Sequence, residues 1–491
     1  MPWWREVFLH FLFRLHKRWT VWRSTLRKAI LIRFVCCCAL YLTHSALAFA
    51  QAVPPQTLTL DAAVDLAEDN YPAIRVAKTQ AQAASEQIGL AQTAYLPRLD
   101  LLWQENRAST NNIFGALLPQ AIIPPISGPV LGTKSLSTST FGSAGGALLS
   151  WEPFDFGVRK ANVNVARAFT RQANAAVGVT QLDVATSAAD AFLALLANQE
   201  AVRAAEANVS RAQTFADVVR TLVNNQLRAG ADAARADAEL SATKNQLNRA
   251  QQSAEISRAT LAEVLGIPGA YVTVDAGHLL DLPRDASVPV PNFDLHPLVV
   301  AQEAAIDSVR AREHVLERSY VPRFYLQSSI NGRGTGALAN GNFKRGANGL
   351  LPDTPNFALG MSVTFPAFDI FSIRARHRIE TGNEAVETAR LDQTFQALKG
   401  QYARAQALID GALRIAQETP NQLKAAQDAE RLTRERYKYG LANVTDVADA
   451  QRVLAQAEID NAVARLNIWR ALLVAARLQG DLKPFLQRVK Y

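Results

Sequence analysis

Cysteine is almost absent from this chain. Its 491 residues include three, all adjacent: Cys36, Cys37 and Cys38. That excludes a disulfide scaffold and a four-cysteine zinc module. Histidine is scarce too. Beyond residue 50 only His278, His296, His314 and His377 occur, scattered and without metal-ligand spacing. No nucleophile, acid/base or metal constellation emerges, so an enzyme is not expected, and no cofactor or metal either. Long apolar runs are missing. The best candidate, LIRFVCCCALYLTHSALAFA, is interrupted by Arg33 and His44 well short of the ~20 residues a membrane-spanning helix needs. The glycine-rich Gly332-Arg333-Gly334-Thr335-Gly336 lacks the Lys-Ser/Thr and following helix of a phosphate loop, and reads as an external loop.

An excess of positive charge is missing from most of the chain. Lys and Arg number 52 against 44 Asp and Glu, a net of +8. Residues 1–50 hold eight of those bases and one acid, Glu6, so a net of +7 sits at the start. The remainder is nearly neutral, which removes the case for a nucleic-acid partner. The basic start is followed by a short apolar stretch closing on Ala48-Phe49-Ala50. These are the three parts of a secretory signal peptide, assigned to residues 1–50. Lipidation at the cysteine triplet is disfavoured, because Phe34 and Val35 precede it where a small residue is needed. The 49% hydrophobic and 20% charged composition describes a folded chain.

What is present is an internal duplication. NYPAIRVAKTQAQAASEQIGLAQTAYLPRLDL in the first half answers DLHPLVVAQEAAIDSVRAREHVLERSYVPRFYL in the second. Pro72 and Pro297 differ by 225 residues, as do Pro97 and Pro322. Phe154-Asp155-Phe156 answers Phe368-Asp369-Ile370 at a shift of 214. Gly230 is set against Gly440 at a shift of 210, which requires a four-residue deletion within a helical stretch. The repeats are assigned to residues 51–283 and 284–480, with a tail at 481–491.

Each repeat reads as helix, strand, strand, long helix, turn, helix. One opening helix is expected from Leu58 to about Ala94, ended by Pro97. The β-hairpins span 98–151 and 323–366, the first with a polar loop near 108–138. In the second, Phe357, Leu359, Met361, Val363 and Phe365 alternate with Ala358, Gly360, Ser362 and Thr364. Apolar residues out and small or polar residues in fit a membrane β-barrel strand, and equally an ordinary half-buried strand. The long helices, about 158–228 and 371–438, should reach roughly 105 Å at 1.5 Å per residue. Tip turns are expected near 230 and 440. Four strands cannot close a barrel, and open sheet edges are too costly in lipid, so several copies must combine.

The pattern LTLDAAVDLAEDNYPAIRVAKTQ, the duplication, the Tyr-x-Pro and Phe-Asp elements and YKYGLANVTDVADAQ together resemble the TolC family of outer-membrane efflux proteins over residues 56–480. The resemblance implies a mainly α fold with a membrane β-barrel part and four strands per chain. It implies a homotrimer with a 12-stranded β-barrel in outer-membrane lipid, continuous with a 12-helix α-barrel across the periplasm. The implied partners are a periplasmic adaptor (membrane fusion) protein and an inner-membrane transporter of RND, ABC or MFS type. The implied function is a passive efflux or type I secretion duct.

By the same resemblance, Asp446 and Asp449 ring the constriction and Tyr437 belongs to the closing contacts. Ala229, Gly230, Gly440 and Leu441 would be the adaptor-docking tips. The match is incomplete. Ala442 stands where some members have Arg, and Ala236 where they have Asp, with Asp237 beside it. A first-repeat gate would then use Asp232, Arg235 or Asp237, with Asn443 as a further candidate. Plainer roles stay open: Asp446 as a helix N-terminal acid, Tyr437 as a packing residue. A periplasmic scaffold or a trimeric surface fibre is the rival class, and the duplication argues against both.

Overall fold

The computed structural model describes residues 57–109, 139–338, 342–365 and 367–490. The chain divides at Gln56, and Thr57–Tyr491 forms one unit that holds everything below. The expected signal peptide lies outside the described residues, as does nearly all of the polar loop near 108–138.

The first repeat opens with a two-residue strand β1, Thr57–Leu58, then helices α1, Leu60–Asn70, and α2, Pro72–Thr93. A single helix was expected here. Tyr71 breaks it, with φ −66° and ψ 125°. The cause is Pro72, which lacks an N–H and forces the preceding residue out of the helical region. Strands β2, Arg98–Ser109, and β3, Ser139–Trp151, follow. Helix α3, Val158–Asn224, runs 67 residues, about 100 Å. Helix α4, Gly230–Val264, returns. Strand β4, Thr273–Val274, pairs in parallel with β1. The second repeat repeats the plan: α5, Pro297–Arg318; β5, Arg323–Thr335; β6, Thr354–Thr364; α6, Asp369–Lys438; α7, Val444–Gln479. The tail folds as a further helix α8, Lys483–Lys490, whose Phe485 is buried against Trp469.

The four long strands form one antiparallel sheet in the order β2-β3-β5-β6. Its register puts Leu101, Ala147, Ile330 and Phe357 in one row. The same face carries Leu99, Trp103, Leu149, Trp151, Leu359, Met361 and Val363, all exposed, with Phe357 at 85%. The opposite face carries Ser150, Gln327, Ser329, Asn331, Asn356 and Ser362 by alternation. On that face Gly146 allows β3 and β5 to approach, since a Cβ there would lie 2.5 Å from the Ile330 carbonyl oxygen. Among the described residues β2 and β6 each have one neighbour, so the sheet ends in two open edges.

The helices form a layer. α3 packs against α2 and α4 on one side and against α5 and α7 on the other, and α6 packs against α5 and α7. α5 and α7 meet end to end where His296 Nε2 reaches the Arg477 carbonyl oxygen at 3.2 Å. One side of α7 buries Leu466, Ile468, Trp469 and Leu472 in the main core, together with α1, α8 and the middle of α3. Its other side, with Asn467, Arg470 and Arg477, faces an open groove between α3 and α6.

The tips correct the repeat alignment. α6 ends in a Schellman turn: Gly440 has φ +74°, Gly440 N–H donates to Tyr437 O, and Leu441 N–H donates to Arg436 O. α3 ends in the same turn, but its left-handed residue is Gln226, φ +59°, with donors Gln226 to Val223 O and Leu227 to Leu222 O. Gly230 has no positive φ and is the first residue of α4. Gln226 therefore answers Gly440, and the helix-capping residues Ala229 and Asn443 answer each other, at the shift of 214 already set by Phe154 and Phe368. The same shift relates Gly266, φ +72°, to Gly480, φ +78°, beyond the next pair of helices. No four-residue deletion exists. The sequence match followed the glycine, whereas the fold follows the turn.

Candidate gate and docking tips

Close to the tips the two repeats share an apolar cluster. Phe215, Ala216 and Val219 of α3 meet Ala236 and Leu240 of α4, Tyr437 of α6, and Val444 and Val447 of α7. These residues recur three or four apart on their helices, so each helix turns one stripe toward the others. Tyr437 is the largest buried side chain there, 1% exposed. Its ring meets Phe215 edge-on, with centroids 5.0 Å apart. The Arg228 guanidinium also lies over this ring, 4.8 Å from the centroid. Arg228 Nη2 also donates to the Tyr437 carbonyl oxygen at 3.2 Å. That carbonyl belongs to the last turn of α6, where unpaired acceptors carry partial negative charge and attract a cation. Burial pushes the Tyr437 phenol above its ordinary range, the nearby Asp232 adds to the rise, and Arg228 opposes it. Among the described residues the Tyr437 hydroxyl has no hydrogen-bond partner.

The remaining candidates fall into separate roles. Asp446 and Asn443 make a capping box at the start of α7: Asn443 N–H donates to Asp446 Oδ2 at 2.9 Å, and Asp446 N–H donates to Asn443 Oδ1 at 2.9 Å. Asp449 is exposed and pairs with Arg452 at 3.0 Å. Asp237 is bound to Arg220 of α3, Nε to Oδ1 3.0 Å, and so ties α4 to α3 within the first repeat. Asp232 sits in the first turn of α4, half-buried, and Arg235 is exposed. Ala236 packs into the apolar cluster beside Tyr437. Of all these, Tyr437 and Asp232 approach one another across the repeats; Asp449, Arg235 and Asp237 point elsewhere within one chain. Leu227 and Leu441, which follow the two left-handed residues, are 68% and 67% exposed.

Farther from the tips, ion pairs hold α7 to α3. Arg211 binds Glu458 through two bonds, 3.0 and 2.8 Å. Arg470 meets Asp190 at 2.9 Å and Arg477 meets Asp183 at 2.7 Å. The heptad separation of the last two on both helices is the spacing of an antiparallel coiled pair.

The profile of a family described as "Outer membrane efflux protein" matches residues 63–267 and 294–479, both repeats and the tips between them. The chain belongs to the outer membrane efflux protein family. That membership gives its location, the bacterial outer membrane, and the TolC-like fold agrees. Relatives are distant in sequence. The chain is 24% identical over 297 residues to the pyoverdine export outer membrane protein OpmQ of Pseudomonas putida, 60% of this chain and 61% of that protein. It is 24% identical over 410 residues to protein CyaE of Bordetella pertussis, covering 80% and 78%. The match to OpmQ thus spans less than two thirds of that relative. In structure it resembles the CmeC outer membrane channel of Campylobacter jejuni with a TM-score of 0.68, at 15% identity, over 86% of this chain and 85% of that one.

For a member of this family, two features of the tip escaped the sequence. Arg228 was not singled out, because an arginine beside a turn looks like any solvated charge. Phe215 was not either, because an isolated aromatic in an alanine-rich helix carries no signature. The only signal for Arg228 was its place two residues after the left-handed residue that the glycine match misassigned.

Proposed function

We propose that this protein is the outer-membrane duct of an efflux or type I secretion system. It is a passive conduit without enzymatic activity, and an inner-membrane transporter supplies the energy. The observation that carries this is the sheet. One face is apolar and exposed across all four strands, the other is polar or small apart from Leu102 and Leu148, and among the described residues both edges are open. Such a sheet is stable in lipid only when copies close it into a barrel. Three copies give twelve strands, and their helical layers close a tunnel with the groove between α3 and α6 facing inward. The bulky packing against α1 and α8 on the opposite side of α7 supports that orientation.

The gate is at the tips. The apolar cluster around Tyr437 holds the α6–α7 pair against the α3–α4 pair, and Arg228 adds its contacts to the Tyr437 ring and carbonyl. Opening repacks this contact, with the helix pairs moving as units. Asp446 and Asp449, exposed on α7, supply carboxylates to the narrow end, where three copies form a ring that favours cations. Asp232, whose charge acts on the Tyr437 phenol, is the first-repeat gate residue this reading favours. Asp237 is held by Arg220 of the same repeat, and Arg235 is exposed in the single chain. The docking tips for a periplasmic adaptor are the two matched turns: Gln226 with Leu227, and Gly440 with Leu441, flanked by Ala229 and Gly230. OpmQ carries pyoverdine export in its name, which makes small-molecule export one candidate cargo class here. An RND, ABC or MFS transporter would complete the system.

The test is direct. Purified protein should migrate as a trimer in detergent and conduct ions in planar bilayers. Asp446→Asn with Asp449→Asn should lower cation selectivity. A monomer without conductance overturns the reading; unchanged selectivity removes the two aspartates from the gate and leaves Asp446 as a helix cap alone.

A further inference from the structure

A second charged feature lies far from the tips, beside the membrane. The apolar sheet face ends toward the helices in a band of aromatic rings. Phe154 and Phe156 both meet Phe324, with centroids 6.5 and 5.9 Å apart. Trp151 Nε1–H donates to the Tyr95 carbonyl oxygen at 3.3 Å, so the ring is held at the end of β3. On the neighbouring strand end Phe368 is 86% exposed. Aromatic rings in this position mark the boundary between hydrocarbon and headgroups.

One to two turns below, a concavity of about 350 Å³ lies between α5 and α6, lined by Glu317, Tyr320, Arg374, His377 and Arg378. Arg374 is five residues into α6, some 8 Å along the helix axis from Asp369. That depth is the headgroup layer of the inner leaflet. Its side of the wall follows from helical phase. At 100° per residue, Arg374 is turned roughly 180° from Arg390, Gln401 and Leu408, which line the groove between α3 and α6. The concavity therefore opens outward, toward lipid.

Its charge is unbalanced. Arg374 and Arg378 are exposed and, among the described residues, have no carboxylate within 4.0 Å. Neighbouring arginines on α5 are compensated: Arg310 meets Glu384 at 2.7 Å and Arg312 meets Glu380 at 3.2 Å. Glu317 is the one acid in the lining, and it is engaged by His314 Nδ1 at 2.9 Å. Two guanidinium groups one helical turn apart can grip the oxygens of one phosphate, and a phenol and an imidazole stand beside them as further donors.

The geometry points to a phospholipid headgroup site, in which Arg374 and Arg378 bind the phosphodiester of an inner-leaflet lipid whose chains lie along the aromatic band. It goes beyond the duct function and rests on the proposed orientation in which the groove between α3 and α6 faces inward; trimer formation and conductance test that orientation separately. The site would fix the height of the barrel in the bilayer.

The experiment uses the full chain purified in detergent and native mass spectrometry with added phosphatidylglycerol, or inorganic phosphate at the same concentration. The wild type should retain phosphatidylglycerol, and Arg374→Gln with Arg378→Gln should weaken retention about tenfold. Arg374→Lys with Arg378→Lys keeps the charge and should retain most of it, so a folding failure of the glutamine variant does not decide the outcome. Equal retention by the wild type and the glutamine variant, or loss of lipid from the lysine variant to the level of an unrelated surface pair, overturns the site. Displacement of the lipid by inorganic phosphate shows a free-anion site and overturns the lipid assignment.

Discussion

Arg228 and Tyr437 join the two repeats at the tip by a double contact: guanidinium over ring at 4.8 Å, and Nη2 to the carbonyl oxygen at 3.2 Å. The two parts of that contact can be separated by substitution. Tyr437→Phe keeps the ring and removes a hydroxyl that has no partner, so thermal stability should be unchanged or slightly higher. Tyr437→Ala empties a fully buried site, a loss of about 3–5 kcal/mol for an aromatic side chain. Its effect should be local, raising single-channel conductance. Arg228→Ala should fall between. Equal conductance for Tyr437→Phe and Tyr437→Ala would show that the ring does not hold the tip closed.

The two turns should respond with opposite signs to glycine. Gly440→Ala forces a side chain into φ +74° and should destabilise by about 1 kcal/mol. Gln226→Gly relieves φ +59° and should stabilise by about 0.5–1 kcal/mol. Denaturation midpoints of the two variants check this, and Gly230→Ala serves as the control. Because Gly230 is an ordinary helical residue with open space around its Cα, alanine there should be neutral or stabilising.

His296 should make the junction of α5 and α7 sensitive to acid. Burial lowers its pKa from the ordinary 6.5, partly offset by the hydrogen bond to the Arg477 carbonyl. Its Nδ1 accepts from the Leu298 N–H at 3.2 Å, so Nε2 carries the proton. With a lowered folded-state pKa, the unfolded chain takes up the proton first as pH falls. Stability is therefore complete above about 6.5 and lost progressively below it. The melting temperature should drop between pH 7.5 and 5.5, and His296→Asn, which can still cap α5, should flatten that dependence. An identical pH profile in the variant would place the sensitivity elsewhere.

The faces of β6 should tolerate charge unequally. Leu359→Arg places a guanidinium on the apolar face, at a cost of about 2–4 kcal/mol near the bilayer midplane. Assembly into heat-resistant oligomers should fail. Ser362→Arg, three residues on and on the other face, should assemble and alter conductance. Assembly of both to the same extent would remove the assignment of faces.

Much of this architecture was legible in the residues. The alternation around Phe357–Phe365 set the strand faces. The absence of proline from 158–224 set the length of α3, and the Phe-Asp elements at 154–155 and 368–369 set the repeat shift of 214. The site was less legible. Glycine is a good marker of a left-handed turn, but the turn itself needs only a residue that can bear φ > 0, and Gln226 bears it. Following the glycine shifted the match by four residues. It also set Ala236 in a vacant gate position, where the fold has it filling a core beside Tyr437.

By itself the sequence determined the local elements, the duplication and the two-faced sheet, because each is written in periodicities a few residues long. Only the tertiary structure decided which distant residues meet: Arg228 with Tyr437 and Arg211 with Glu458 across the repeats, and His296 with Arg477 within the second. These pairs lie 181 to 247 residues apart. No local preference specifies them. They follow from laying helices of 100 Å side by side, where one turn of offset changes every partner along the contact.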